Sequence, residues 1–197
     1  MGGEPAPWRE LGFALEGARL RVGSVTVRVD PAAGRGLVAW SLRGLQGADL
    51  DGLPTTLDDG APPASAPASA HPNRALAVDH VVVVTPDLER TLAALGAAGL
   101  ELRRRREGGS PQRPAVQAFY RLGEVVLEVV GSAQAPPGPA RFWGLVFTVA
   151  DLDDCAAALG DRLGAVHDAV QPGRRIATVR PEVGLGLPVA LMSPPAG

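Results

Sequence analysis

One stretch of the sequence occurs twice, and this repeat limits more than any other feature what the chain can fold into. The run DHVVVVTPDL begins at Asp79, and the run WGLVFTVADL begins at Trp143, sixty-four positions later. Each copy is a short series of β-branched or aromatic residues that leads into a helix start. A supersecondary unit that recurs in this way predicts two copies of one structural module.

The elements within each copy follow the same order. Thr85 is predicted to cap the first helix, with Pro86 at its first position, and Asp151 is predicted to cap the second. Cys155 lies on the apolar stripe of the second helix and is therefore expected to be a buried hydrophobe. The predicted order is β-α-β-β-β twice, which is an α+β fold class built from tandem βαβββ modules. The strands after the helices are predicted at residues 100–106, 116–122 and 124–130, and again at 165–170, 174–180 and 187–192.

Composition divides the chain into three parts. Residues 61–74 are rich in Ala, Pro and Ser, a composition typical of a linker, and His71 within them is expected to be a solvated loop histidine. Residues 75–194 hold the two modules. A strand–Gly–strand pattern around Gly23 matches the one around Gly123, so residues 1–60 are interpreted as an N-terminal partial βαβββ-like module. The alternative for that segment is an unrelated hairpin that docks on the sheet.

The charge balance excludes several kinds of function. The chain has 19 basic and 21 acidic residues, a net charge of -2, so a nucleic-acid partner is not expected. Every basic residue is arginine, which excludes Schiff-base chemistry and the lysine of a phosphate-binding P-loop. A single cysteine excludes an internal disulfide. Without a signal-peptide pattern or an apolar run of about 20 residues, the chain is predicted to be cytoplasmic, with no membrane partner.

These features resemble the vicinal oxygen chelate superfamily, which includes glyoxalase I, bleomycin-resistance proteins and extradiol dioxygenases. The resemblance covers about residues 76–193 and is carried by Asp79-His80 before a β-run, the Thr-Pro-Asp helix start, and LGEVVLEVV at residues 122–130. It implies curved mixed sheets whose two modules enclose a cavity for a small organic molecule. It also implies a divalent metal, held by the first-strand His and the last-strand Glu of each module. A homodimer is a further expectation.

Matched residue by residue, the resemblance supplies two metal ligands in the first module and none in the second. His80 matches the histidine and Glu128 the glutamate, a mixed nitrogen and oxygen set that suits Zn, Ni, Fe or Mn. Gly144 stands in the place of His80, and Ala190 or Leu191 in the place of Glu128. The implied metal site is therefore incomplete. The alternative for Glu128 is a strand carboxylate that faces solvent or pairs with an arginine.

Four further residues are candidates for contacts with a substrate. Tyr120 and Trp143 lie in strands expected to border the cavity, where an aromatic ring can stack on a planar ligand. In the run of four arginines, Arg103 and Arg105 share one side of a strand and Arg104 and Arg106 share the other. One pair can hold a carboxylate or a phosphate, and Arg103 and Arg105 are the candidates. The alternative for these arginines is a solvated edge strand that is protected by its charge.

The sequence leaves two functions of different classes open. It does not decide whether the protein is an enzyme. The first is a glyoxalase-like small-molecule-binding protein with an incomplete metal site. The second is a metal-dependent lyase, isomerase or dioxygenase that uses His80 and Glu128. A purely structural role for the sheets is a third option. His80 and Glu128 are predicted to lie within side-chain reach across one concave face of the sheet, and opposite faces would contradict the predicted site.

Overall fold

The structure is a computed structural model that describes residues 1–61, 71–110 and 112–195. The described part contains helices α1 (Pro5–Glu10), α2 (Leu88–Ala97) and α3 (Leu152–Leu159). Its strands are β1 (Leu15–Glu16), β2 (Arg19–Val22), β3 (Val25–Arg28), β4 (Trp40–Leu42), β5 (Thr55–Leu57), β6 (Ala75–Thr85), β7 (Arg104–Ser110), β8 (Arg113–Leu122), β9 (Val125–Gly131), β10 (Arg141–Val149), β11 (His167–Asp168), β12 (Arg175–Thr178) and β13 (Val189–Met192). Among these described residues, no helix is both long and apolar enough to cross a membrane.

The two predicted modules have the same topology. In module 1, β6 leads into α2 and then into β7, β8 and β9, and the strands pair in the order β6-β9-β8-β7. In module 2, β10 leads into α3 and then into β11, β12 and β13, which pair in the order β10-β13-β12-β11. The first and last strands of each module are parallel, and the other pairs are antiparallel. This confirms the predicted α+β fold of tandem βαβββ modules.

The described chain divides into two compact units. The module-1 unit contains residues 37–61 and 80–143, and the module-2 unit contains residues 1–36, 71–79 and 144–195. These units are defined by contacts between residues. The domain boundaries predicted from the sequence are defined by composition, so the two divisions of the chain differ. Most of the predicted linker, residues 62–70, lies outside the described residues.

Helix α2 covers one face of the module 1 sheet. Leu95 of the helix packs with Val83, Ala118 and Leu127 of the strands, and all four are buried. The helix begins at the side chain of Asp87, which accepts a hydrogen bond from the backbone of Arg90. The prediction that Thr85 caps this helix was therefore wrong. Residues 37–61 add Leu50 and Leu53 to the same core.

Helix α3 and the N-terminal segment belong to the module-2 unit. Asp151 caps α3 as predicted, because its side chain accepts hydrogen bonds from the backbone of Asp153 and Asp154. Cys155 is buried as predicted, and burial raises the pKa of its thiol to about 11. In the N-terminal segment, α1 precedes a three-stranded antiparallel sheet in the order β1-β2-β3. Its interpretation as a partial module stays a prediction.

His71 does not behave as a solvated loop residue, contrary to the expectation from its linker composition. Its ring is 4% exposed. The backbone N–H of Ala14 donates to Nδ1 at 3.1 Å, and Nε2 lies 2.7 Å from the carbonyl oxygen of Arg21. Because Nδ1 accepts, the Nε2 proton donates to that carbonyl, and the ring ties the chain before β6 to the N-terminal segment.

Candidate functional site

His80 and Glu128 lie on the same face of the module 1 sheet, opposite α2. In the parallel pairing of β6 with β9, His80 is opposite Val126 and Val82 is opposite Glu128, so all four side chains share one face. Nε2 of His80 lies 3.6 Å from Oε2 of Glu128, and the two side chains are only 9% and 14% exposed. This distance is too long for a hydrogen bond.

Two polar partners lie on this face, of which Gln117 is not among the residues singled out from the sequence and Arg106 belongs to the arginine pair that was not chosen as the candidate. Gln117 donates from Nε2 to Oε1 of Glu128, and Arg106 donates from Nε to Oε1 of Gln117 at 2.7 Å. The orientation of the amide follows from its neighbours, because a guanidinium only donates and a carboxylate only accepts. We name this series Arg106, Gln117, Glu128 and His80 the polar strip. The signal in the sequence was Gln117 itself, a polar residue between apolar residues of a strand.

Tyr120 does not reach the polar strip, which corrects the expectation that it borders the same cavity. It pairs with Leu127 of β9 and is buried in the core beneath α2, with 2% of its surface exposed. Burial, with a smaller contribution from the charge of Glu89, raises the pKa of its phenol to about 12. Its neighbour Phe119 pairs with Glu128 and therefore lies on the face of the polar strip.

Arg103 and Arg105 do not reach the polar strip either. In the arginine run, Arg104 and Arg106 are the residues on the face of the polar strip. Arg105 pairs with Ala118, on the side of α2, and its guanidinium donates to Glu89 at 2.7 Å. Arg103 precedes β7 and forms an exposed ion pair with Glu101 at 3.2 Å. The face of the polar strip instead carries Arg104, opposite Phe119, and Arg106, opposite Gln117.

Trp143 lies in β10 and is the most exposed of the candidate aromatic residues, with 51% of its surface accessible. Its role against a ligand stays a prediction. Phe147, by contrast, is completely buried against the rings of Trp8 and Phe13 and belongs to the core.

The register of module 2 shows what replaces the polar strip there. Val146 pairs with Ala190 as Val82 pairs with Glu128, so Ala190 rather than Leu191 is the counterpart of Glu128. Ile176 packs against Ala190, and it occupies the register position that Gln117 has in module 1. A polar pair in one module is therefore an apolar pair in the other.

Gly144 occupies the position of His80 in module 2, and the backbone leaves no room for a side chain there. A Cβ atom at this position would lie 2.7 Å from the carbonyl oxygen of Pro188. That carbonyl accepts the backbone hydrogen bond of Leu145, which fixes it in place. Neither His nor any other side chain fits at residue 144 without a shift of the backbone.

In a second polar cluster, in the module-2 unit, the polar groups bond to one another. Arg174 lies 2.5 Å from Oδ2 of Asp79, which also accepts the hydroxyl of Thr148 at 2.8 Å. Nε of Arg174 donates to the carbonyl of Ser193. These side chains are committed to one another and tie the start of β6 to β10 and β13.

The donor set does not fit the complete metal centre that the resemblance implies. One ion can touch both His80 and Glu128, because metal bonds of about 2.0–2.2 Å to each exceed half of the 3.6 Å between their atoms. Among the described residues, however, no group of three His, Cys, Asp or Glu side chains is placed to hold a metal. Gln117 already engages one oxygen of Glu128.

Comparisons with known proteins find similarity only to solved structures, at low identity. No protein-family model and no curated protein matches the sequence. Among solved structures, methylmalonyl-CoA epimerase from Mycobacterium tuberculosis is similar with a TM-score of 0.48 and 18% identity, over 60% of this chain and 88% of that one. Methylmalonyl-CoA epimerase from Streptomyces coelicolor, in complex with 2-nitronate-propionyl-CoA, gives 0.48 and 20%, over 60% and 97%. A hypothetical protein from Bacillus halodurans gives 0.48 and 14%, over 61% and 95%.

The fold is defined by the topology of the chain itself, in which two βαβββ modules repeat the same strand order and the same mixture of parallel and antiparallel pairs. This tandem βαβββ topology is the one that the resemblance inferred from the sequence implies.

Proposed function

We propose that the chain is a small-molecule-binding protein whose ligand lies on the polar strip of module 1, without the four-ligand metal centre of the family pattern. The observation that carries this proposal is the hydrogen bond from Gln117 to Glu128. It commits one oxygen of the carboxylate to an amide donor. At the matching positions module 2 carries Gly144 and Ala190, which have no polar side-chain group.

The surroundings of the polar strip suit a small organic ligand. Val82 and the half-buried Val126 and Val130 lie on the same face as Glu128. A few polar groups that converge within apolar surroundings are the usual composition of a small-molecule site, since the apolar area provides affinity and the polar groups provide orientation. A cytoplasmic location and a homodimer stay predictions.

Ligand binding is tested with a collection of small aromatic carboxylic acids and their primary amides, observed by the NMR signals of the compounds. At least one of the neutral amides, whose N–H groups can donate to a carboxylate, is expected to bind the wild-type protein and to lose binding in Glu128→Ala. Glu107→Ala is the matched control, because Glu107 is exposed and pairs with Val116 on the other face of the sheet. If no compound distinguishes Glu128→Ala from Glu107→Ala, the proposal is overturned.

The second candidate is a metal-dependent lyase, isomerase or dioxygenase, and it is favoured by the 3.6 Å distance between His80 and Glu128. Elemental analysis after removal of metals, reloading with Zn, Ni, Fe or Mn, and dialysis separates the two candidates. We expect less than stoichiometric metal, and the same amount in His80→Ala and in the control His167→Ala, whose histidine is exposed. Stoichiometric metal that disappears only in His80→Ala would establish the second candidate instead.

A further inference from the structure

The four consecutive arginines of module 1 differ in whether a carboxylate neutralises them. Arg103 pairs with Glu101, and Arg105 pairs with Glu89. Arg104 and Arg106 face the other side, and within the described part of the chain neither forms an ion pair with a carboxylate. The cationic charge without a protein counterion is therefore on the face that carries the polar strip.

Arg106 is held in one orientation by two different contacts. Its Nε donates to Gln117, and its guanidinium carbon lies 5.3 Å from the centre of the Phe119 ring. The cation–π contact and the hydrogen bond order a side chain that is half-buried. They use Nε and one face of the guanidinium, and the two terminal nitrogens form no hydrogen bond with the described residues. Gln117 also stands between this cation and Glu128.

We infer that the ligand of the polar strip is an organic anion, with its charged group on the terminal nitrogens of Arg106 and its apolar body beside Phe119 and Val130. This inference rests on the proposed function and adds the class of ligand. A guanidinium presents two parallel N–H groups, which match the two oxygens of a carboxylate or a phosphate. Because the guanidinium is already ordered, binding costs less side-chain entropy than it would at a free arginine.

The test compares benzoate, phenylphosphonate and the neutral benzamide by NMR titration of wild type, Arg106→Ala and Arg105→Ala. Arg105→Ala removes the same charge from the adjacent residue, which lies on the side of α2. At least one anion is expected to bind the wild type and Arg105→Ala alike, and to bind Arg106→Ala at least tenfold more weakly. Benzamide is expected to bind at least tenfold more weakly than benzoate. The relative affinity of the two anions distinguishes a carboxylate ligand from a phosphate or phosphonate ligand.

The dependence on ionic strength and the variant Arg106→Lys sharpen the result. Affinity for the anion is expected to fall as sodium chloride is raised, and Arg106→Lys is expected to recover only part of the binding, because a lysine has no bidentate fork. Equal affinity for benzoate in wild type and Arg106→Ala would overturn the inference, and so would the absence of binding by both anions. The proposed function survives either result if neutral compounds still bind in a manner that depends on Glu128.

Discussion

Asp51 joins residues 37–61 to module 1 through its side chain. Its two carboxylate oxygens accept hydrogen bonds from Nε of Arg90 and from the hydroxyl of Thr91, both at 2.6 Å. Its backbone carbonyl accepts from Ala140. Desolvation by burial raises the pKa of this carboxyl, but the hydrogen bonds from Arg90 and Thr91 outweigh it, so the pKa lies below its ordinary value of 3.8.

Asp51→Asn is expected to lower the free energy of unfolding by about 1–3 kcal/mol, because it removes the charge that two donors share. Since the pKa of Asp51 is lowered in the folded state, its stabilisation is present above pH ~4 and is lost as the pH falls through the folded value. Urea unfolding between pH 7 and pH 3 measures both effects. The control is Asp58→Asn, at an exposed ion pair with Arg43, where a loss of at most ~1 kcal/mol is expected. Equal losses in the two variants would contradict the role of Asp51.

Tyr120 shows how a single step along a strand decides between core and site. Phe119 and Tyr120 are consecutive, so only one of them can lie on the face of Glu128, and the pairing of Phe119 with Glu128 determines which. The pairing of β7 with β8 decides in the same way which of the four arginines lie on the face of Glu128. The sequence shows that residues alternate, but two adjacent aromatic residues or four adjacent arginines carry no apolar pattern that tells which phase faces the helix.

Tyr120 is the only tyrosine, so its ionisation can be read directly from the near-ultraviolet absorbance of the protein. The titration is expected to have its midpoint near pH 12 rather than 10.0, because burial disfavours the phenolate. A pKa raised by folding gives stability that is complete below the unfolded value and is lost as the pH rises through the folded one. Circular dichroism in parallel shows whether unfolding accompanies the ionisation. A midpoint near 10 in the folded protein would place Tyr120 in solvent and contradict its position beneath α2.

At the scale of helices and strands, Gly96 of module 1 and Gly144 of module 2 differ in whether their surroundings leave room for a side chain. Gly96 lies in α2 with no atom within 4 Å of a Cβ built on it, so nothing in its surroundings requires a glycine. Gly144 in β10 is set against the carbonyl of Pro188. Their positions in the repeated sequence do not reveal this difference, since the restriction at Gly144 comes from Pro188, just before β13 and more than 40 residues further along the chain.

Substitution of these two glycines by alanine is expected to have opposite effects on stability. Gly96→Ala should raise the free energy of unfolding by about 0.5–1 kcal/mol, because alanine restricts the unfolded chain and favours the helix. Gly144→Ala should lower it by about 1–3 kcal/mol, the usual cost of forcing a group into a packed position. Urea unfolding at neutral pH measures both. If Gly144→Ala were as stable as the wild type, the close approach of Pro188 would not restrict this position. The absence of a metal-binding side chain at residue 144 would then need another explanation.

For the whole molecule, the repeat predicts the fold well because strands and helices are determined by residues that are close in the sequence. Apolar runs, the cap at Asp151 and turn glycines indicate where each strand and helix lies. His80 and Glu128 were placed together by the family pattern, and the structure brings them to one face. Gln117 and Arg106 join them through pairing between three strands, which a single sequence does not display. The burial of His71 likewise depends on contacts with residues more than 45 positions away.

The comparison of the modules leads to a test of the polar strip outside its own module. Ala190→Glu is expected to lower the free energy of unfolding by several kcal/mol, about 2–5, because it places a carboxylate against apolar residues without a partner. Ile176→Gln alone is expected to cost less, about 1–3 kcal/mol, since an amide is neutral. The double variant rebuilds the pair that Gln117 and Glu128 form, so its loss should be smaller than the sum of the single losses by about 0.5–3 kcal/mol. Urea unfolding of the four proteins measures this coupling, and Ile176→Asn with Ala190→Glu is the control, because its shorter side chain places the amide differently. Additive losses in the Gln variant would mean that the register alone does not create the hydrogen bond, and that module 1 holds Gln117 in place through Arg106.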